Sequence, residues 1–465
     1  MSAPPMDIYI PPSMSYFVKR LSGVSTSTVR MTNLSNVRAT AGSTIKIKFP
    51  TNAIVNLSSF TMYAYGSTSA VGCFPKLSQS LINQVRVSIG GQMVSGGNCQ
   101  EVGVLYNIGS RLQQGEQQTK MLKLQHLGSD CVEAAAIADA AAVPVVIDDW
   151  PFFLSATPRY LHTGILPEII VDIVLAPDSV LGNNGANANT YTLDNIYFTI
   201  EVIQFDNDLY SKILETRLAN GDTIEIPFND AHYIIKPASN IIETQVSSNS
   251  ITKLFVVPRA VNWGNQDIPE NGLTQPFIFS AALANNATSF RNRAATAYWS
   301  IDNKMYPQQP ATLPELYQMT LDSFGDRAST LSANSLLTEP VFSLLVPQHG
   351  GANRGFVLGT AVVANAGTVT NAELTDTIDT GIYYYKKIDP VDNYLGRNCI
   401  FCLNLELNEA SDQRLISGYS SIGKNAVIRF DGSQLLTAAN VDLTMFVLVK
   451  RCLKVRAGQQ IFLEM

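Results

Sequence analysis

The chain has 465 residues, a formal net charge of −6 and 15% charged residues. The length is enough for two hydrophobic cores, whereas the charge content is well below the roughly 25% typical of soluble domains. The negative net charge argues against a general nucleic-acid-binding protein, which needs many cations to displace counterions from phosphates.

The low charge content has two interpretations. Amide and hydroxyl groups are cheaper to desolvate than ions, so a surface rich in them suits a chain that neighbouring subunits cover. Compositional drift without a functional cause would give the same low content of charged residues. The two interpretations stay open at this point.

The N-terminus, MSAPPMDIYIPP, lacks the cationic and apolar segments of a signal peptide, and its prolines predict an extended arm over residues 1–20. No run of the sequence approaches the ~18 apolar residues that span a bilayer. Six cysteines in 465 residues are too few for a disulfide framework. We therefore expect a soluble protein that is made in a reducing compartment and is not secreted through a signal peptide.

Residues 42–49, GSTIKIKF, predict a half-buried strand, because the isoleucines and the phenylalanine alternate with polar side chains. Residues 221–228, GDTIEIPF, repeat five of these eight positions. We expect the two stretches to be equivalent strands in two copies of one module. Pro227 cannot donate a ladder hydrogen bond, which predicts a strand at a sheet edge or near a bulge.

A β-hairpin pattern also occurs twice, at residues 85–94 and 297–306. The central pairs, Gly-Gly and Asp-Asn, tolerate the positive φ angles that tight two-residue hairpins require. Each half then closes on an alternating strand, TIEVI at 199–203 and TMFVL at 444–448. Because the three matches keep their order, we interpret the chain as two copies of one β-rich module.

A helix is predicted after each hairpin. The first begins near Asn98, with Glu101 three residues later. The second begins at Thr312 with Glu315 in a capping box, and it stops at Gly325. Further helical stretches are predicted in the alanine-rich residues 132–142 and in the connector 207–221.

The remaining sequence predicts short strands separated by turn residues, which favours a β-sandwich or a barrel. These further strands are expected at residues 168–177, 251–259, 399–407 and 425–430. Residues 182–190 and the long segment 350–380 predict exposed loops, and the second is long enough to protrude from the molecule.

Reactive side chains show no arrangement typical of an enzyme. The histidines have no metal-binding spacing, and neither a G-x-S-x-G elbow nor a phosphate-binding glycine loop is present. Cys399 and Cys402 form a C-x-x-C, but no second pair completes a zinc site, and we expect two partly buried thiols in a strand. We assign no catalytic, cofactor-binding or metal-binding residue, and we predict no cofactor and no small-molecule substrate.

Four cations follow an apolar strand near the C-terminus: Lys450, Arg451, Lys454 and Arg456. Such a run is typical of a solvated strand end. A surface that faces a genome is the alternative interpretation, because clustered cations attract phosphates.

Five stretches of the sequence, taken in order, resemble the first jelly roll of the double jelly-roll major capsid proteins of tailless double-stranded DNA viruses. These stretches are residues 43–65, 77–94, 166–177, 191–210 and 217–228. They are similar in character to the proteins of virophages and polinton-like viruses. The second half resembles that family mainly through its capped helix and its closing strand.

The resemblance implies an all-β fold of two tandem eight-stranded jelly rolls with short helices in the inter-strand loops. It implies an N-terminal arm at 1–20, a first jelly roll at 21–212 and a second at 213–465. The implied function is that of a major capsid protein, whose homotrimers are pseudo-hexameric capsomers that tile an icosahedral shell. The implied location is the virion, assembled in the infected host cell.

The partners implied by the resemblance are the chain itself, neighbouring capsomers, and penton and minor capsid proteins. The genome or an internal membrane is a further candidate partner at the inner face of the shell. The N-terminal arm would lie along that face or bridge neighbouring capsomers.

Other classes of protein stay open. A carbohydrate- or receptor-binding β-sandwich would need an exposed aromatic platform, but Trp150, Trp263 and Trp299 are dispersed along the chain. A hydrolase on a β scaffold lacks an evident nucleophile and base. A penton or minor capsid protein is a further alternative, although such proteins commonly carry one jelly roll.

Overall fold

A computed structural model of the chain describes most of the β-rich core. The described residues are 24–32, 34, 38–69, 72–75, 77–112, 142–156, 159–183, 189–205, 209–261, 277, 279, 295–324, 346–349, 373–378, 381–386, 399–406, 418–424 and 426–464. The predicted arm at 1–20, the alanine-rich helix up to residue 141, Gly325 and Trp263 lie outside these residues.

The described elements before residue 206 form the first module. In chain order they are β1 (Val24–Thr32), β2 (Ala39–Thr40), β3 (Thr44–Lys48), β4 (Ile54–Thr68), β5 (Gly72–Cys73), β6 (Ile82–Ile89), β7 (Gln92–Ser95), α1 (Val102–Leu112), β8 (Val143–Ile147), β9 (Tyr160–His162), β10 (Ile169–Leu175), β11 (Gly182–Asn183) and β12 (Tyr191–Phe205). Short strands with alternating burial dominate, as the period-two apolar pattern predicts.

Two antiparallel sheets build the first module. One has the strand order β1-β12-β4-β8, with β2 added on β12 and β9 on β4, and the other has the order β3-β10-β6-β7. Their apolar faces meet in a shared core, where the rings of Phe60 and Phe198 stack with centroids 5.4 Å apart. Trp150 closes this core by donating its Nε1–H to the Phe60 carbonyl at 2.8 Å. This strand order is that of an eight-stranded jelly roll.

The described elements from residue 209 onward begin with the connector helix and then form the second module. In chain order they are α2 (Leu209–Ala219), β13 (Ile224–Lys236), β14 (Ile241–Gln245), β15 (Ile251–Ala260), β16 (Thr296–Ile301), β17 (Lys304–Thr312), α3 (Leu313–Leu321), β18 (Val346–His349), β19 (Glu373–Ile378), β20 (Gly381–Lys386), β21 (Phe401–Asn404), β22 (Val427–Asp431), β23 (Val441–Arg456) and β24 (Gln460–Glu464). The predicted connector helix is therefore confirmed.

The second module repeats the strand order of the first. Its sheets are β13-β23-β15-β21, with β24 added on β23, and β14-β22-β16-β17. In its core, Phe430 packs against Trp299 and Phe401, with ring centroids 4.9 and 5.2 Å away. The predicted all-β fold of two tandem eight-stranded jelly rolls with short helices in the inter-strand loops is confirmed.

Both predicted hairpins form, at the same place in each module. The turn between β6 and β7 has Gly90 and Gly91 at φ +57° and +82°. The turn between β16 and β17 has Asp302 and Asn303 at φ +51° and +61°. The closing strands also correspond, because β12 and β23 each lie second in their sheets, between the first strand and the third.

The predicted equivalence of residues 42–49 and 221–228 is wrong. The first stretch contains β3, the edge strand of the sheet that includes the hairpin, whereas the second opens β13, which takes the place of β1. Both stretches have the predicted alternating burial, but alternation sets which face of a strand is buried and does not choose its partner. Pro227 does lie at an edge, because β13 pairs with β23 alone among the described strands.

Two segments predicted as loops contain strands. Residues 182–190 begin with β11, which pairs with β5, and residues 350–380 include β19 near their end. β19 pairs with β20, and β20 pairs with β18, in a separate three-stranded sheet. The remainder of both segments lies largely outside the described residues.

The two helices that follow the hairpins differ in how they begin. α3 starts as predicted, because the Thr312 N–H donates to Oε2 of Glu315 at 2.7 Å. α1 starts at Val102 rather than near Asn98, because Glu101 has a φ of +52° that a helix does not accept. None of the helices in the described ranges combines the length and apolar character needed to cross a bilayer.

Candidate functional site

The described residues contain no cluster of three or more histidine, cysteine or acidic side chains that could hold a metal. Cys399 and Cys402 are both fully buried rather than partly buried, and of the two only Cys402 lies in a strand, β21. Burial raises the pKa of the Cys399 thiol well above its usual range, which keeps it protonated and unreactive.

The most organised polar contacts lie at the junction, where the residues between β7 and α1 meet the second module. The backbone N–H of Tyr233, in β13, donates to the carbonyl of Asn98 at 3.0 Å. Five residues earlier in β13, the ring of Phe228 meets that of Phe153 edge-on, with centroids 5.4 Å apart. An edge strand of the second module is therefore paired with backbone of the first.

A buried ion pair forms one side of the junction. Arg451 lies 2.7 Å from Oδ2 of Asp230, and both side chains are at least nine-tenths buried. Oδ1 of Asp230 accepts a hydrogen bond from the Gly96 N–H at 3.1 Å, across the junction. Arg451 also donates to Nε2 of His232 at 3.1 Å, while the Asn98 side-chain amide lies 3.4 Å from Nδ1 of that ring.

Burial controls the protonation of both groups beside Arg451. It raises the pKa of Asp230, and the charge of Arg451 and the hydrogen bond from the Gly96 N–H act in the opposite direction. It lowers the pKa of His232 to about 4, and the positive charge of Arg451 adds to that effect. His232 is therefore a neutral acceptor at neutral pH.

A second ion pair forms the other side of the junction. Arg259, which is fully buried, donates to Oε2 of Glu101 across the junction and to Oγ1 of Thr444, both at 2.6 Å. A buried guanidinium needs a carboxylate partner, because an isolated charge is costly to remove from water. The Arg259–Glu101 ion pair and the hydrogen bond from the Gly96 N–H to Asp230 thus connect the two modules.

The four cations of the basic run near the C-terminus contact other side chains of the same chain. Arg451 belongs to the junction, and Lys450 lies 2.6 Å from Glu406. Lys454 lies 2.9 Å from Glu464 and 3.2 Å from Glu225. The guanidinium of Arg456 stacks over the ring of Phe462 at 5.0 Å. Most of this positive charge is neutralised locally, which weakens the interpretation as a genome-facing surface.

Sequence reasoning did not identify the junction residues, because the members of each pair lie far apart in the chain. Asp230 and Arg451 are separated by more than 200 positions, and no local spacing connects them. One signal was present. Arg259 and Arg451 each interrupt an apolar strand, VVPRA and VLVKRCL, and a cation inside such a strand indicates a buried partner.

We predict that acid weakens the junction. The pKa of His232 is about 4 in the folded chain and 6.5 in an unperturbed histidine. The unfolded chain therefore takes up this proton first, and stability falls as the pH drops from about 6.5 to about 4. Urea unfolding at several pH values should show that His232→Gln has a shallower loss across this window. An identical slope in both proteins would contradict the assignment.

The fold is similar to solved structures of viral capsid proteins. A capsid structure of PBCV-1 matches with a TM-score of 0.56 and 11% identity, over 97% of this chain and 99% of that chain. PBCV-1 VP54, fitted into a reconstruction of the virophage Sputnik, matches with a TM-score of 0.55 and 10% identity, over 97% of this chain and 99% of that chain. The Faustovirus major capsid protein matches with a TM-score of 0.51 and 8% identity, over 96% of this chain and 93% of that chain. No family model and no curated protein matches the sequence.

At these identities the likeness establishes the fold. It extends over nearly the whole chain, so both modules and their connection belong to the shared architecture. The double jelly roll that the sequence resemblance implied is confirmed. The narrower resemblance to virophage and polinton-like proteins stays a prediction.

Proposed function

We propose that this chain is a major capsid protein, a structural subunit of a viral shell rather than an enzyme. The observation that carries the proposal is the presence of two complete jelly rolls with one strand order in a single chain. Solved proteins that share this architecture over almost their whole length are capsid proteins. The proposed location is the virion, assembled in the infected host cell.

The proposed assembly is a homotrimer. Three chains with two similar modules each supply six similar blocks, and a ring of six blocks tiles a surface as a hexamer would. Closed assemblies of identical chains need large complementary contacts, and a chain with only 15% charged residues has few ions to desolvate when such contacts form. The proposed partners are a second and a third copy, neighbouring capsomers, and penton and minor capsid proteins.

The proposed division of the chain is an arm at residues 1–20, a first jelly roll at 21–212 and a second at 213–465. In support of this division, the described sheets each contain strands of one module alone. The arm is proposed to lie along the inner shell face or to bridge capsomers. We propose no genome contact through the basic run, because most of its charge is paired within the chain.

The mass of the purified chain in solution tests this function. Light scattering should give a species of about three times the chain mass of 50.6 kDa. A species of five chains would favour the penton alternative. A stable monomer would overturn the capsomer proposal and would favour the alternative of a carbohydrate- or receptor-binding β-sandwich.

The carbohydrate-binding alternative gains no support from the described tryptophans. Trp150 is 4% exposed and Trp299 is fully buried, so both serve the cores of their modules. A platform for a sugar ring needs an aromatic face that is open to solvent. The capsid proposal therefore has the stronger physical basis.

A further inference from the structure

The junction occurs once among the described residues, although each module contains a counterpart of both of its halves. One half is the sheet face of β13, β23 and β15, which receives the first module. The other half is the segment between β7 and α1 that packs on this face. The first module has the corresponding sheet face in β1, β12 and β4. In the second module the corresponding residues are the last residues of β17, which leads directly into α3.

The strand registers show which positions correspond. In the first module, Thr199 of β12 pairs with Arg30 of β1 and with Thr61 of β4. At the matching position of the second module, Thr444 of β23 pairs with β13 and β15 in the same way. The two sheets can therefore be compared residue by residue.

By this register, Tyr63 takes the place of Arg259, the residue that binds Glu101 across the junction. Tyr63 lies opposite Tyr197, as Arg259 lies opposite Asp442 in the second module. The outer sheet face of the first module therefore presents tyrosines and a neighbouring arginine at these positions. On the second module, Arg259 is already in contact with the first module of the same chain.

These side chains form a face that we call the tyrosine face, consisting of Arg30, Tyr63 and Tyr197. The rings of Tyr63 and Tyr197 stack with centroids 5.0 Å apart, and the exposed guanidinium of Arg30 lies 3.8 Å above the Tyr197 ring. Tyr65, next on β4 on this side, is 45% exposed. Tyrosine and arginine are among the side chains that most often carry binding energy at protein interfaces.

The corresponding segment of the second module is also exposed. Residues 307–310, in β17, are exposed to solvent. Gln309 lies four residues before α3, just as Asn98 lies four residues before α1. Asn98 is the residue whose carbonyl accepts the bond from β13 across the junction.

We propose that the tyrosine face binds residues 307–310 of a second copy of this chain, which repeats between copies the junction that exists within one copy. The inference rests on the proposed capsomer and names its contact surface. The two surfaces differ, so the contact is heterologous, and such contacts form a ring when the rotation closes. Around such a ring, the junction within a chain alternates with the contact between chains. If each module is rotated by a sixth of a circle from the one before it, the ring closes after six modules, which belong to three chains.

Arg30→Glu tests the surface, because it inverts an exposed charge without touching a core. Light scattering should show that the trimer dissociates to monomer, while circular dichroism stays unchanged. The matched control is Arg456→Glu, which removes a similar cation–π pair with Phe462. Because Arg456 belongs to neither of the two surfaces of the proposed contact, this control should remain trimeric.

Tyr63→Ala, measured in the same way, should also lose the trimer. A cysteine pair at Arg30 and Gln309, treated with a bis-maleimide, should give covalent species larger than one chain. If the unaltered chain is a trimer and both the Arg30→Glu and Tyr63→Ala variants remain trimers, this surface is wrong and the capsomer stands. If the unaltered chain is a monomer, both proposals fail.

Discussion

Replacing Asp230 with alanine is expected to lower the free energy of unfolding by about 3–5 kcal/mol. The substitution leaves Arg451 buried without its carboxylate, and it removes the acceptor of the Gly96 N–H. A buried charge that loses its partner keeps its full desolvation cost. Urea unfolding at neutral pH and one fixed protein concentration measures the change, since assembly makes stability depend on concentration.

The matched control is Glu168→Ala, which breaks an equally short ion pair at the surface. Glu168 lies 2.6 Å from Lys48, but both side chains are nearly half exposed. Exposed pairs of this kind contribute about 0–1 kcal/mol. A loss for Asp230→Ala as small as that for Glu168→Ala would contradict the account of the junction.

Replacing Gly96 with alanine is expected to cost about 4 kcal/mol or more, at the upper end of single substitutions. Gly96 has a φ of +74°, and an added Cβ would overlap the carbonyl oxygen of Val85. Val85 is a fully buried residue of β6, so this carbonyl has no room to yield. Any shift of residue 96 would also pull its N–H away from Asp230 at the junction.

Gly91→Ala separates the two causes of this loss. Gly91 has a φ of +82°, but a Cβ there would meet no atom within 4 Å. Its substitution should therefore cost about 1–2 kcal/mol, which is the backbone strain alone. Equal losses for the two alanine variants in chemical denaturation would show that the overlap with Val85 has no effect.

Features that depend on neighbours in sequence were predictable. The two hairpin turns follow from residue types that accept positive φ, and the start of α3 follows from the Thr312–Glu315 capping box. The buried positions of β3 follow from strict alternation. In each case the physical cause acts within a few residues, so a short stretch of sequence contains it.

Features that depend on distant neighbours were not predictable to the same degree. The similarity of residues 42–49 to 221–228 reflects a shared edge-strand pattern, and the sheet partners differ because tertiary packing selects them. Glu101 interrupted the first predicted helix because its conformation serves the ion pair with Arg259 in the other module. Cations within apolar strands pointed to buried partners but did not identify them.

The junction also gives a physical reason for the duplicated fold. Within one chain, the buried Arg259–Glu101 ion pair and the hydrogen bond from Gly96 to Asp230 hold two similar blocks together. A related contact between chains would use exposed tyrosines and one arginine in place of buried charges. Such a contact can form between chains that are already folded, as the proposed capsomer requires.

The most direct test of the central claim is electron microscopy of the purified assembly. Averaged particle images should show a three-fold particle with six lobes in a hexagonal outline, two lobes for each chain. Five-fold particles, or single two-lobed particles at the concentrations used for light scattering, would contradict the account.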